Sequence, residues 1–288
     1  MYFKFWGTRG SVPVPGENTL KYGGNTPCVE IRTSNDKLII LDAGTGIREL
    51  GNFIIKNNID QPLNILLSHY HWDHIQGIPF FVPIYQQGRK ITFYGVPGSE
   101  KSIEKLLSNQ MERDYFPIKI DEVPAKIKYE HLSSNETIRL DGTNIKTLNV
   151  YHSSPTLTFK VIEKDKCVVY MTDNELDVEG ENKNNLNDKL KNKNKELIEF
   201  CSGCDYLIHD MMYDSLLKDK LGWGHSSNKA LAHFAMMAEV KNLVFFHYNP
   251  DYTDEKIDAI LEETRTCLKQ NGSNINCIAA REGLKISL

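Results

Sequence analysis

The chain has 288 residues, of which 40% are hydrophobic and 25% charged, a balance suited to a globular protein with a sizeable core. Its formal net charge of -4 gives no general electrostatic reason to bind nucleic acid, so long polyanions are not the default substrate. No apolar run reaches membrane-spanning length, the start Met1–Trp6 lacks a leader pattern, and a chain of this length has no need of its six cysteines as disulfide staples; a cytoplasmic protein with reduced thiols and no membrane partner is expected.

In chain order, Tyr2 to Trp6, Cys28 to Arg32 and Lys37 to Asp42 read as strands and Ile47 to Asn57 as a helix. Between the first two strands lie Gly7-Thr8-Arg9-Gly10-Ser11 and Tyr22-Gly23-Gly24-Asn25-Thr26. These read either as plain turns or as the rim of a site with Arg9 or Asn25 near a substrate. Leu63 to Ser68 is a short apolar run bounded by Pro62, a buried strand that delivers His69-Tyr70-His71-Trp72-Asp73-His74 onto the loop at its end. Three imidazoles and a carboxylate so close together carry a heavy desolvation cost as packing, yet they are the ligands that Zn²⁺ and similar ions prefer. His69 and His71, at i and i+2 of an extended segment, point the same way and can grip one ion, while Asp73 and His74 turn toward a second position.

Further on, Ile91 to Gly95 reads as a strand and Ser99 to Met111 as an amphipathic helix with Ser99 as its N-cap. Tyr115-Phe116-Pro117 offers rings either for stacking on a base or for the core. A run of strands fills Lys126 to Thr172, and three apolar segments end in a metal-competent residue. Asn149-Val150-Tyr151 leads into His152, Cys167 to Thr172 ends at Asp173, and Leu243 to Phe246 ends at His247. Glu179 to Lys195, rich in Asn, Lys and acidic residues, reads as a solvated loop. Cys201-Ser202-Gly203-Cys204, with no second pair, reads as helix-end packing. Asn228 to Val240 and Asp254 to Gln270 read as helices, and His131, His209 and His233 as packed or surface residues. No repeat or Pro/Gly-rich linker divides the chain, so a single domain over residues 1–288, made of related halves at about 1–145 and 146–288, is expected.

The ordered set His69-x-His71-x-Asp73-His74, His152, Asp173 and His247 resembles the metallo-β-lactamase superfamily, and Asp42-Ala43-Gly44-Thr45-Gly46 looks like that superfamily's first motif. The resemblance implies an α/β (α+β) fold, an αββα sandwich of two mixed sheets flanked by helices, with metals at one sheet edge. Gly224-His225-Ser226-Ser227 and the position of Asp210 resemble the phosphodiesterase branch that includes ribonuclease Z. Carried over, it implies His69, His71 and His152 on one ion, Asp73, His74 and His247 on the other, and Asp173 bridging; Asp73 also takes a catalytic part by orienting the attacking water. Two divalent ions follow as cofactors, Zn²⁺ first, with Mn²⁺ or Fe²⁺ compatible. Two ions about 3.5 to 4 Å apart can activate water at neutral pH and neutralise a phosphoryl oxygen, as phosphodiester cleavage requires.

A leaving alkoxide needs a proton, and His225 is the candidate acid with Asp210 as its carboxylate partner. The ribonuclease Z pattern has a glutamate where this chain has Asp210, in His209-Asp210-Met211-Met212. Ser226 and Ser227 stand where they could cap the following helix and leave amides for a phosphate oxygen. Asp42 is expected to orient a ligand histidine. Ribonuclease Z enzymes typically carry a long tRNA-gripping arm between the third-motif histidine and the fourth-motif aspartate, and here only Ser153 to Thr172 lies there. The expected function is therefore hydrolysis of a small phosphodiester, a cyclic nucleotide foremost. The alternatives are a tRNA 3′-processing endonuclease, with RNA as partner, then a lactamase or thioesterase of the same fold, then a non-catalytic scaffold. Relatives in that branch are often dimers, so the resemblance is compatible with a homodimer, and the sequence itself does not fix the oligomeric state.

Overall fold

Short apolar runs bounded by turn residues become the strands of two seven-stranded sheets, and the computed structural model describes residues 1–176, 194–214 and 222–288. The chain divides into two units, the first comprising Met1–Ser133 with Arg281–Leu288 and the second Ser134–Ala280. The last residues return to the first unit because their strand pairs with the first strand of the chain.

In the first unit the strands are β1 (Tyr2–Gly7), β2 (Cys28–Arg32), β3 (Leu38–Leu41), β4 (Leu63–Leu67), β5 (Lys90–Gly95), β6 (Lys126–His131) and β14 (Lys285–Ser287), in the order β14-β1-β2-β3-β4-β5-β6. Every residue of β3 is buried, as expected of a strand inside a partly parallel sheet, whereas β1 alternates buried and half-buried positions. Helix α1 (Gly46–Lys56) buries Ile47, Leu50 and Ile54 in one apolar cluster with Leu38, Ile40, Leu63 and Ile65. Each such side chain contributes roughly 1.5 to 3 kcal/mol on burial. The strand expected over Lys37 to Asp42 stops at Leu41 because Asp42 takes a left-handed conformation with φ 59°. A one-turn helix, α2 (Trp72–Ile75), sits inside the histidine-rich segment. The helix expected from Ser99 is shorter, α3 (Ile103–Asn109); Ser102 caps it, accepting a 3.3 Å hydrogen bond from the Lys105 amide.

The second unit holds β7 (Thr137–Leu140), β8 (Thr143–Asn149), β9 (Leu157–Glu163), β10 (Lys166–Met171), β11 (Tyr206–Asp210), β12 (Asn242–Phe246) and β13 (Asn276–Ala279), ordered β13-β12-β11-β10-β9-β8-β7. Its helices among the described residues are α4 (Lys195–Cys201), α5 (Asn228–Met237) and α6 (Asp254–Gln270). Helix α5 ends before Val240 because Glu239 adopts φ 50°. Cys201 closes α4 and Cys204 follows it; both are buried and unbridged, and burial pushes both thiols up. The polar segment 179–195 lies outside the described residues apart from its last two positions, where Lys195 opens α4.

Both sheets share one pattern. Three antiparallel pairings are followed by three parallel ones, and the change falls at β3 in the first sheet and at β10 in the second. The sheets are thus mixed and flanked by helices, as expected for the α/β class. Residues leaving the carboxyl ends of strands near such a switch are the ones an open α/β sheet offers to ligands. Asp42 follows β3 and Asp173 follows β10. No helix among the described residues is long and apolar enough to cross a membrane.

Candidate metal centre and proton donor

In the first unit the buried β4 ends at Leu67, and the chain turns through Ser68 into the histidines. Asp42 Oδ2 lies 2.8 Å from His74 Nδ1, and its two oxygens accept from the Ser68 amide at 2.7 Å and the Ser68 hydroxyl at 2.9 Å. Ser68 Oγ in turn lies 3.1 Å from His69 Nδ1. A carboxylate only accepts, so His74 carries its proton on Nδ1 and presents the Nε2 lone pair, as a metal-ligating imidazole must. Asp42 thus orients His74. Asp73 Oδ2 stands 3.3 Å from His74 Nε2 and accepts a 2.7 Å hydrogen bond from the Ser11 amide. The rings of His69 and His71 are 4.6 Å apart and those of His69 and His74 are 4.2 Å apart. His69 and His74 are fully buried whereas His71 is exposed, so the group is both held by the protein and open to solvent. Gly44 permits the close approach of this loop: a Cβ there would stand 2.2 Å from the Asp73 carbonyl oxygen.

The second unit builds a matching group from three strand ends. Asp173 and His247 both adopt left-handed backbone, φ 49° and 53°, within two residues of their strand ends. Such conformations cost on the order of 1 to 3 kcal/mol each and gather at functional sites. Asp173 Oδ2 accepts from Thr172 Oγ1 at 2.6 Å and lies 3.3 Å from His247 Nε2; its Oδ1 lies 3.8 Å from His152 Nε2. His152 Nδ1 donates to the Gly224 carbonyl at 3.1 Å, which fixes its proton there and leaves Nε2 as a lone pair. Gly224, at φ 80°, must lack a side chain, since a Cβ would lie 2.0 Å from His152 Nδ1. Asp173, His225 and His247 each offer a ligand atom within 4.8 Å of the other two. Buried imidazole nitrogens and a carboxylate at this density are the donors a divalent transition ion takes, so the residues fit the implied metals.

Asp210 ends β11 fully buried. Its Oδ2 lies 3.3 Å from His225 Nδ1 and accepts from the Ser226 amide at 3.2 Å, while Oδ1 accepts from the Asn174 amide at 3.2 Å. Oδ1 also lies 3.1 Å from His209 Nδ1. The Tyr151 amide donates to Asn174 Oδ1, so Asn174 Nδ2 donates to His209 Nε2 and the His209 proton sits on Nδ1, facing Asp210. Burial by itself would raise the Asp210 pKa, but the hydrogen bonds from His209 and then His225 hold it well below the usual carboxylate range. An ionised Asp210 keeps His225 Nδ1–H turned toward it and leaves Nε2 as the atom that can pass a proton. The shorter aspartate therefore reaches the histidine.

Ser226 and Ser227 are both buried. Ser226 Oγ donates to the Asn174 carbonyl and accepts from the Leu176 amide, which commits it to holding the loop around Asp210. Ser227 caps α5, accepting from the Ala230 amide at 3.3 Å. Arg9, expected at a rim, is fully buried instead, with Nε donating to the Gly23 carbonyl, because that turn folds inward onto 22–25. Asn25 is clamped by Glu282 through its amide at 2.7 Å and its side chain at 3.0 Å. From that glycine-rich turn it is Ser11 that reaches the histidine loop. Tyr115 is 79% exposed, whereas Phe116 packs edge-on against Phe80 and joins the core. Sequence reasoning passed over Ser11, Ser68, Thr172, Asn174 and Glu175; Ser68, Thr172 and Asn174 each adjoin a predicted ligand, the one signal available.

Comparison with known proteins places these groups in context. Residues 37–248 match the family described as the Beta-lactamase superfamily domain. The ribonuclease Z of Picrophilus torridus is 25% identical over 91% of this chain and 89% of its own length, and that of Thermoplasma acidophilum is 27% identical over 91% and 90%. Among solved structures, yeast PDE1 superposes with a TM-score of 0.70 at 17% identity, over 100% of this chain and 99% of that one.

Proposed function

The chain belongs to the β-lactamase superfamily as a metal-dependent hydrolase, and from that premise we propose that it hydrolyses a small phosphodiester, a cyclic nucleotide foremost, in the cytoplasm. The two units then act as one metallohydrolase domain over residues 1–288. His69, His71 and His152 hold one divalent ion, Asp73, His74 and His247 hold the other, and Asp173 serves both, following the family's motif order. Zn²⁺ is the first choice, with Mn²⁺ or Fe²⁺ compatible with the same donors. When bound, such ions activate water at neutral pH and neutralise charge on the phosphoryl group.

The observation that carries the reading is the Asp210–His225 pair beside Asp173. An alkoxide leaving group requires a proton, and a histidine held by a buried, ionised carboxylate supplies one. A lactamase or thioesterase has less need of that acid. Tight packing around Asp42, His74 and Asp210 keeps the donors in place before substrate arrives.

The second reading is a tRNA 3′-processing endonuclease, favoured by the two curated relatives, which are named ribonuclease Z. Against it, the residues between His152 and Asp173 form only the β9–β10 hairpin, with no room for an arm that grips RNA. Turnover by metal-reconstituted protein on cyclic nucleotides, linear phosphodiesters and precursor tRNA tests both. Rapid hydrolysis of a cyclic nucleotide supports the first reading, specific cleavage of precursor tRNA replaces it with the second, and no phosphodiester turnover overturns both. The homodimer that accompanies this family assignment is checked by sedimentation.

A further inference from the structure

Among the described residues of the second unit, two large apolar side chains remain exposed, Tyr151 and Trp223, each at 56%. Both belong to site segments: Tyr151 precedes His152, and Trp223 stands two positions before His225. One residue fastens both. The Glu175 amide donates to the Tyr151 carbonyl at 2.8 Å, and the Glu175 carboxylate accepts from the Gly222 amide at 2.9 Å and the Gly224 amide at 2.8 Å, on either side of Trp223. Gly224 then accepts from His152 through its carbonyl. The backbone on both sides of Trp223 is therefore anchored, while its indole is not folded into the core.

Leaving a ring of this size in water forgoes the burial free energy that would otherwise favour tucking it away, and here the adjoining backbone is fixed by charge-assisted hydrogen bonds. An exposed aromatic face two positions before a proton donor suits a flat partner, because the backbone that carries it is already ordered and stacking costs correspondingly less entropy. We propose that Trp223, with Tyr151, is a stacking surface for the nucleobase of the substrate, and that Glu175 is the positioning residue that sets both aromatics against the site histidines. The proposal rests on the phosphodiesterase reading and narrows it to substrates carrying a base.

Binding of AMP and of ribose 5-phosphate to the whole protein tests it, since the two share the sugar phosphate and differ only in the base. AMP quenches tryptophan fluorescence and binds about 5- to 150-fold more tightly than ribose 5-phosphate, the range that stacking of one base supplies. Trp223→Leu brings AMP down to the affinity of ribose 5-phosphate, Trp223→Phe keeps most of the difference, and Tyr151→Leu removes part of it. Equal affinities of the wild-type protein for the two ligands would overturn the proposal, whether or not any variant folds. A Trp223→Leu protein that weakens on both ligands alike overturns it too, because the loop and not the ring would then be at work. Preference for AMP in a protein that cleaves no phosphodiester upholds the stacking surface while the reaction assignment fails. Phosphodiester cleavage without any preference for the base has the opposite meaning.

Discussion

Asp210 has donors on both of its oxygens and no route to water. In Asp210→Asn the amide nitrogen must face N–H groups that now point at a carboxylate, so a buried donor is set against donors. We expect a loss of about 1 to 3 kcal/mol or somewhat more, given the charge-assisted bonds, read as a lower denaturation midpoint. The sign with pH follows from the depressed folded-state pKa: the stabilisation is fully present above the ordinary value of 3.8 and disappears as pH falls through the lower folded value. Wild type and Asp210→Asn should differ by a constant amount at neutral pH and converge below about pH 4. A gap that stays constant into strong acid would mean that Asp210 is not ionised in the fold. For His225, removal to alanine should lower kcat by roughly 10²- to 10⁴-fold with metal content unchanged, the usual worth of general acid catalysis. The loss should be far smaller on bis(p-nitrophenyl) phosphate, whose leaving group departs without a proton. Equal losses on that ester and on a cyclic nucleotide would instead make His225 a phosphate or metal contact, a role its distance of 3.9 Å from Asp173 Oδ1 would permit.

At the level of elements, strands deliver the chemistry and helix ends brace it. Ser227 fixes the start of α5, where a cap is worth about 0.5 to 2 kcal/mol. Ser227→Ala should lower the melting temperature while KM for a phosphodiester stays within about twofold; a large rise in KM with unchanged stability would restore Ser227 to a substrate contact. The strands β4, β10 and β12 were legible in the sequence because each is an apolar run stopped by a polar, metal-competent residue, a pattern within one local window. The start of α3 was not, since Ser99 and Ser102 are both acceptable caps and only the Gly98–Lys101 turn decides between them. The partners of the ligands were less legible still. Ser11 reaches Asp73 across 62 positions, and Asn174 meets His209 across 35, distances over which no propensity or period carries information. The inward course of Arg9 was illegible for the same reason: a glycine-rich turn tells of a bend, not of which way the bend faces.

For the whole molecule, the repeated sheet pattern accounts for the form of the ligand set. Each unit has an aspartate after the strand where antiparallel pairing gives way to parallel, Asp42 in one and Asp173 in the other, both with left-handed backbone. The first orients His74, and the second stands among His152, His225 and His247 with its oxygens 3.3 to 3.9 Å from their nitrogens. One tetrahedral ion uses about four ligands, so the seven assigned here call for two. Elemental analysis of gently purified protein should approach two metals per chain. Because the unfolded chain cannot reproduce the site, metal at a hundred times its Kd should add about 2.7 kcal/mol of stability for each ion bound. For a chain of 288 residues that is roughly 4 to 5 °C in Tm for each ion, lost on chelation and recovered when metal is returned. A folded chain with every ligand intact that takes up no more than one ion, even with metal in excess, would sink the two-metal arrangement and leave the Asp173 group as a mononuclear site.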